Sequence, residues 1–248
     1  RAQIQPNRPA GEGLGAHMEA LLAAESLSEG MRDLARAGRL LQLDPEVWPT
    51  KYRCATVSRD ELIELRRIRQ VIRKGRVVEI NPGAMALEQG QWSSDENILF
   101  VDCSADGLAH RDRCPVFEGS QITLQSLMIC QQVFSASLIA MVEIRYASDE
   151  VEQNRLCQPV PHPVDTRDFL LAFALTSANL QVWGAAFGRW LRRSRLSILS
   201  HESLPNLIRQ AWHARKNVVG GSERIERMLT QEFPERQIGR EASARAAD

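Results

Sequence analysis

The sequence predicts an α/β fold, with helical regions on either side of a small antiparallel β-meander that leads into one strand of a larger sheet. Three observations carry this reading. Apolar residues recur at helical spacing before residue 70 and after residue 130. Short β-branched or alternating runs, Arg76–Ile80 and Ala84–Glu88, are divided by the turn-forming Asn81-Pro82-Gly83. Ile98-Leu99-Phe100-Val101 is continuously apolar, the pattern of a strand buried on both faces in a parallel sheet.

The elements follow in order. Residues 1–13 are polar and rich in Pro and Gly, as in a loop. Leu14–Ser26 carries Met18, Leu21 and Leu22 at helical spacing, and Ser28–Leu41 repeats the pattern with Met31, Leu34, Ala35 and Leu41. Pro45 and Pro49 then disfavour helix. Ser58 and Glu61 stand three apart just before Leu62, Ile63 and Leu65, a capping-box pattern that predicts a helix over Ser58–Ile68.

Gln70–Ile72 is a further short extended run, and Gln89–Glu96 reads as a linker before the apolar strand. Asp102–Gly107 turns the chain. His110–Gly119 is loop-like and Ile122–Leu124 is a short strand candidate. Cys130–Ile144 is the most hydrophobic helical stretch, about 15 residues and thus too short to span a bilayer. Pro159, Pro161 and Pro163 mark a bend.

From a cap at Thr166 a helical run reaches Arg193, with Gly184 and Gly188 as kink points and Trp183 and Trp190 packed inward. Leu204–Val218 and Ser222–Phe233 are two more expected helices, and the tail after Pro234 is expected to be disordered. The expected division is a helical segment at 1–75; meander, return strand and buried helix at 76–160; a helical cap at 161–234; and a tail at 235–248.

Composition narrows the class. The chain has 248 residues, 44% hydrophobic and 25% charged, which suits a folded globular protein. Its 31 basic and 31 acidic groups cancel, so no global charge favours nucleic acid or an anionic membrane. Lys51, Lys74 and Lys216 are the lysines, which leaves 31 − 3 = 28 arginines. We read this as genomic composition ahead of a phosphate-binding surface. Cys54, Cys103, Cys114, Cys130 and Cys157 are odd in number and form no Cys-x-x-Cys pair. Reduced, mostly buried thiols in a cytoplasmic protein are expected, with no metal site. No uninterrupted apolar run reaches the length of about 18 residues that spans a membrane.

Self-sufficient catalytic signatures are missing: the sequence has no G-x-G-x-x-G after a strand, no phosphate-binding P-loop, no G-x-S-x-G and no H-E-x-x-H. Gly11-Glu12-Gly13-Leu14-Gly15 has the wrong spacing for a pyrophosphate cradle. His17, His110, His162, His201 and His213 show no metal-like spacing. Arg189, Arg192, Arg193 and Arg195 beside Trp190 read as a solvated helix face. Cys103 reads as a buried, inert thiol rather than a redox group. Tyr52-Arg53-Cys54 precedes the capped helix and is a candidate cleft lining.

The informative stretch is Arg76–Gly107. A parallel strand in a nucleotide-binding sheet must end at small residues, because ligands dock at the carboxyl edge of such sheets. Ser104, Ala105 and Gly107 suit that need, and they suit a plain tight turn equally well.

Tyr52–Ser58, Ala86–Gly90, Val101–Gly107, Ile122–Gln125 and Phe134–Leu138 together resemble the C-terminal half of bacterial FAD/NAD(P)-binding oxidoreductases, similar in layout to flavin-containing monooxygenases and pyridine-nucleotide oxidoreductases. The resemblance runs from about Leu40 to about Cys157. It implies a flavoprotein with two dinucleotide-binding, Rossmann-like domains, in which Val101–Gly107 rejoins the FAD domain. Cys103, Ser104, Ala105, Asp106 and Gly107 are then the expected cofactor-binding residues, FAD and NAD(P)H the expected cofactors, and a small molecule the expected substrate. The family's usual Ala-Thr-Gly turn is here Cys103-Ser104-Ala105-Asp106-Gly107. Both glycine-rich loops would lie ahead of Arg1, so the chain is expected to be a fragment whose partner is the missing N-terminal portion of the same protein. The expected function is therefore part of an FAD-dependent oxidoreductase, either a monooxygenase or another member of that class. The rival expectation is a non-catalytic α/β interaction module or accessory subunit.

Overall fold

A computed structural model describes residues 19–50, 57–93, 95, 97–104, 112–197, 200, 224–225 and 227–231. Its elements are α1 (Leu27–Arg36), α2 (Arg59–Leu65), β1 (Val77–Asn81), β2 (Ala84–Leu87), β3 (Gly90–Ser93), β4 (Phe117–Glu118), β5 (Gln121–Ile122), α3 (Gln132–Arg145), α4 (Glu150–Leu156) and α5 (Thr166–Arg193). The architecture is mixed: helices with two small antiparallel sheets. The chain divides into two units. Unit 1 comprises 1–59 and 112–248, and unit 2 comprises 60–111. The boundary at residue 111 therefore falls inside the 76–160 segment that the sequence pattern keeps together, and separates the meander from α3.

Unit 1 is helical. Ser26 caps α1, its hydroxyl accepting from Glu29 N–H at 3.1 Å, while the Glu29 carboxylate accepts from Glu25 N–H at 3.1 Å. The helix stops at Arg36 rather than Leu41, because Gly38 takes φ +65°. Gly38 N–H then donates to Ala35 C=O, and Arg39 N–H reaches back to Leu34 C=O, each at 2.9 Å. That pair of bonds is the Schellman ending, which a residue with a Cβ adopts only at a cost. Gly30 meets a different constraint: a Cβ there would stand 3.1 Å from Leu21 Cδ2, so glycine lets α1 close on the helical turn at 19–23.

Two apolar cores result. Leu21, Leu27, Met31 and Leu34 pack with Phe169, Leu170, Phe173, Met228 and Leu229. Phe134, Leu138, Ile139 and Val142 of α3 pack with Val116, Leu127, Leu156, Trp183, Phe187 and Leu191. The α5 helix serves both, its first half in one core and its second half in the other. Asp165 caps it by accepting from Asp168 N–H at 2.9 Å, one residue ahead of the expected Thr166. Its backbone leaves helical geometry at Phe187 (φ −152°, ψ 40°), between the two glycines expected to kink it. Trp183 is fully buried and Trp190 packs against the same core, as expected.

Where the sequence predicts a loop over His110–Gly119, the β4–β5 hairpin begins. Gly119, at φ +57°, supplies its turn. Asn154 holds the hairpin by accepting from Phe117 N–H at 3.0 Å and donating to Phe117 C=O at 2.7 Å. The α3 helix is buried on one side only: Val133 and Ile144 face outward.

Unit 2 is the meander β1-β2-β3, antiparallel throughout. Asn81 pairs with Ala84 across Pro82-Gly83, with Gly83 at φ +78° as a Pro-Gly turn requires. A bulge falls between Val77 and Glu79. The linker expected over Gln89–Glu96 holds a third strand at Gly90–Ser93, because Glu88-Gln89 closes a second tight turn and Trp92 pairs across from Met85. Lys74 Nζ donates to Gln91 C=O at 2.7 Å.

The expected parallel strand is not formed. Ile98–Val101 is non-strand chain, with Leu99 86% and Val101 72% exposed. A doubly buried strand needs partners on both edges and cover on both faces. Among the described residues every strand pairing is antiparallel, and none includes this segment. The expected helix at Leu204–Val218 and the tail lie outside the described residues, whereas the described part of Ser222–Phe233, residues 224–225 and 227–231, is helical as expected.

Candidate functional site

The turn expected to face a cofactor is described as far as Ser104. The Asp102 carboxylate accepts from the Ser104 hydroxyl at 2.6 Å and from Ser104 N–H at 2.8 Å. These two bonds, the hydroxyl first, hold the Asp102 carboxyl below its ordinary range. The described part of the expected turn is thus an Asp side chain bonded to the backbone and hydroxyl two residues on. Cys103 and Ser104 are both exposed; Ala105, Asp106 and Gly107 lie outside the described residues.

The thiol expectation is corrected in the same place. Cys103 and Cys114 are exposed, Cys130 is half-buried and Cys157 is buried. Cys103 loses its cover because Ile98–Val101 has no sheet around it. Cys157 sits in the core of unit 1, where burial pushes its thiol up to about 12. It is therefore inert. Tyr52-Arg53-Cys54 and the Gly11–Gly15 stretch lie outside the described residues.

The most ordered polar arrangement is one that sequence reasoning missed. The segment Ser126–Gln131 enters α3 through a series of buried bonds. Leu127 N–H donates to Ser135 Oγ at 2.9 Å, and Ile129 N–H to Thr176 Oγ1 at 2.9 Å. Asn179 donates to the carbonyls of Leu127 and Gln158, both at 2.8 Å. Trp183 Nε1 donates to Leu156 C=O at 2.7 Å. Ile129 is held at φ +43°, a conformation that β-branched residues rarely take. Every polar group in this belt named here answers a main-chain group, so the belt fixes the loop to α5 rather than offering groups to a ligand. The only signal for it in the sequence is polar Thr176 and Asn179 at helical spacing on an otherwise apolar face.

Other candidates are weaker. Among the described residues no three His, Cys, Asp or Glu side chains stand close enough to hold a metal. His162 Nδ1 and Arg167 Nε are buried without a hydrogen-bond partner, and the Arg167 guanidinium stands 3.9 Å from Asp168. Arg189, Arg192, Arg193 and Arg195 are exposed, in keeping with a solvated face. By length and composition α5 also meets the measure of a membrane-crossing helix, as core helices do. Its Phe169, Leu170, Phe173, Trp183, Phe187 and Leu191 are core residues here.

Unit 2 carries the other feature of note. Among its described residues Leu62 is the buried hydrophobic residue, while Ile68, Val71, Val78, Leu99 and Val101 are exposed. All five residues of β1 are exposed.

No protein-family model matches the chain, and no solved structure matches it. The chain is 42% identical over 213 residues to an uncharacterized protein of Mycobacterium bovis, and equally to uncharacterized proteins of the CDC 1551 and H37Rv strains of Mycobacterium tuberculosis. The match takes in 84% of this chain and 39% of each relative. The chain thus spans about two fifths of the length of the curated relatives it matches.

Proposed function

We propose that the chain is a docking module of a longer polypeptide, with unit 2 as the surface that another folded part covers. The observation that carries this reading is the exposed apolar set of unit 2, with only Leu62 buried among its described hydrophobic residues. Apolar exposure on this scale marks an interaction surface. The greater length of the mycobacterial relatives favours another part of the same polypeptide as the occupant. Docking would give Ile98–Val101 the strand neighbours that its continuous apolar pattern calls for. Hydrogen exchange tests this. Amides of Ile98–Val101 should exchange freely in the 248-residue chain and be protected in a polypeptide of the relatives' length. Equally fast exchange in both would sink the proposal.

A second reading makes the longer polypeptide an FAD-dependent oxidoreductase using NAD(P)H on a small-molecule substrate, in the cytoplasm. It is favoured by the Asp102–Ser104 hydrogen bonds directly after the apolar run, where the resemblance puts a cofactor-facing turn. In this reading Cys103 and Ser104 end a strand without a bulky side chain, leaving room at the sheet edge. When bound, the flavin would supply hydride acceptance from the nicotinamide. On this reading the phosphates of a dinucleotide are held by residues outside this chain. Both donors of Ser104 are taken by Asp102, and the sequence has no glycine-rich phosphate loop. The flavin absorbance of the longer polypeptide decides this reading. A colourless, folded product rejects it and leaves the docking module standing.

A further inference from the structure

The α3 helix buries one face and turns a second, largely apolar one outward. Phe134, Leu138, Ile139 and Val142 fill the core of unit 1. At about 100° per residue, Val133, Ser137, Ala140 and Ile144 line the opposite side, spaced i, i+4, i+7, i+11. Val133 is 67% and Ile144 82% exposed; Ala140 is exposed and Ser137 half-buried. A helix lying on a core ordinarily turns charged and polar residues outward. This one turns out a seam with the alternating four-three spacing of paired helices. Ser137 is the one polar member of the seam, and within a helix a serine hydroxyl can bond the carbonyl one turn back, which leaves a small side chain at the surface.

We propose that this seam is a homodimer contact, with α3 packed antiparallel against α3 of a second copy. The order of side chains selects that occupant. Val133, Ser137, Ala140 and Ile144 run large, small, small, large, and both end gaps are equal. A two-fold axis between Ser137 and Ala140 sets Val133 of one copy opposite Ile144 of the second, and Ser137 of one copy opposite Ala140 of the second. A self-complementary surface of this kind is what an isologous dimer requires. The small central pair allows the axes to approach to the short end of the roughly 8–10 Å range.

Charge agrees with the same pairing. The first turn of α3 carries no acidic residue and is entered through Gln131 and Gln132, whereas Glu143 and Arg145 lie at the other end. Antiparallel packing therefore sets each charged end beside the uncharged end of the second copy, and like charges do not meet. A helix of 14 residues is about 21 Å long. The contact is thus small for a protein interface, and the dimer is weak and concentration-dependent. None of this rests on the docking role of unit 2.

Sedimentation velocity of the 248-residue chain across the micromolar range should show a reversible monomer–dimer equilibrium. Ala140→Glu should weaken it about tenfold or more, with circular dichroism and melting unchanged. Ile144→Lys, at the exposed end of the seam, gives the same readout if the first variant folds poorly. Leu99→Asp in unit 2 should leave the dimer intact. In a Cys54→Ser, Cys103→Ser, Cys114→Ser background, Ser137→Cys chains mixed with Ala140→Cys chains should cross-link on mild oxidation. A chain that stays monomeric throughout overturns the proposal, as does a dimer that survives both α3 variants. So does a dimer abolished by Leu99→Asp.

Discussion

The main-chain N–H of Ile129 donates to the Thr176 hydroxyl at 2.9 Å, tying a residue held at φ +43° to the middle of α5. The left-handed conformation costs an isoleucine roughly 1–2 kcal/mol. It persists because its neighbours are pinned as well: Leu127 is bonded through its N–H to Ser135 and through its C=O to Asn179. Thr176 is fully buried, so no water replaces its hydroxyl. Thr176→Val should therefore destabilise the chain by about 1–3 kcal/mol, while Thr176→Ser retains most of the stability. Urea unfolding of the two variants is the check, and equal midpoints would refute the role given to this bond.

Cys157 makes stability fall in alkali. Its thiol is pushed up to about 12 in the folded chain, against 9.0 for an ordinary thiol. Below the ordinary value both states hold the proton, and the contribution is fully present. Above it the unfolded chain releases the proton and the folded chain does not, so stability drops by about 1.4 kcal/mol per pH unit towards the folded value. Cys157→Ala should remove that slope, measured by guanidinium unfolding on either side of the ordinary thiol value. In the native chain a thiol reagent should label Cys103 and Cys114 promptly and Cys157 only after unfolding.

The Asp102–Ser104 turn has its own titration. The Asp102 carboxyl should titrate below the ordinary carboxylate range in a carbon-detected NMR experiment. Since its folded value is depressed, the turn's stabilisation is present above the unfolded value and lost as pH falls through the folded one. Ser104→Ala should move the titration back up part of the way, because the Ser104 N–H bond remains. An unmoved curve would mean that the hydroxyl does not hold the turn in solution.

Glycine in α5 offers a gain. No atom stands within 4 Å of where a Cβ at Gly184 would sit, and the position is helical. Gly184→Ala should stabilise by about 0.5–1 kcal/mol, a rise of roughly 1–4 °C in Tm. A fall instead would show that the break at Phe187 draws on the freedom of Gly184.

Local chemistry was legible in the sequence, and long-range partnership was not. The helix after Ser58 (as Arg59–Leu65, shorter than the expected Ser58–Ile68), the Pro-Gly turn before Ala84 and the run from Thr166 to Arg193 each depend on residues close together in the chain, and each appears in place. The misreadings share one cause. Leu99 and Val101 look like strand residues because burial is assumed for apolar runs, yet burial is decided by segments far away in sequence. Trp92 was hidden in the opposite way, within a polar stretch that becomes a strand only because Met85 stands across from it. At Asp102 the local part is the side-chain bond to Ser104, while the sheet expected around it depends on strands that no local pattern could supply.

The two cores of unit 1 share α5 as a common backbone, so we expect loosening of one to be felt in the other. Calorimetry should then see unit 1 as a single cooperative transition, and a cavity cut at Phe173 should accelerate amide exchange around Phe134. A helix that belongs to two cores carries mechanical information between them.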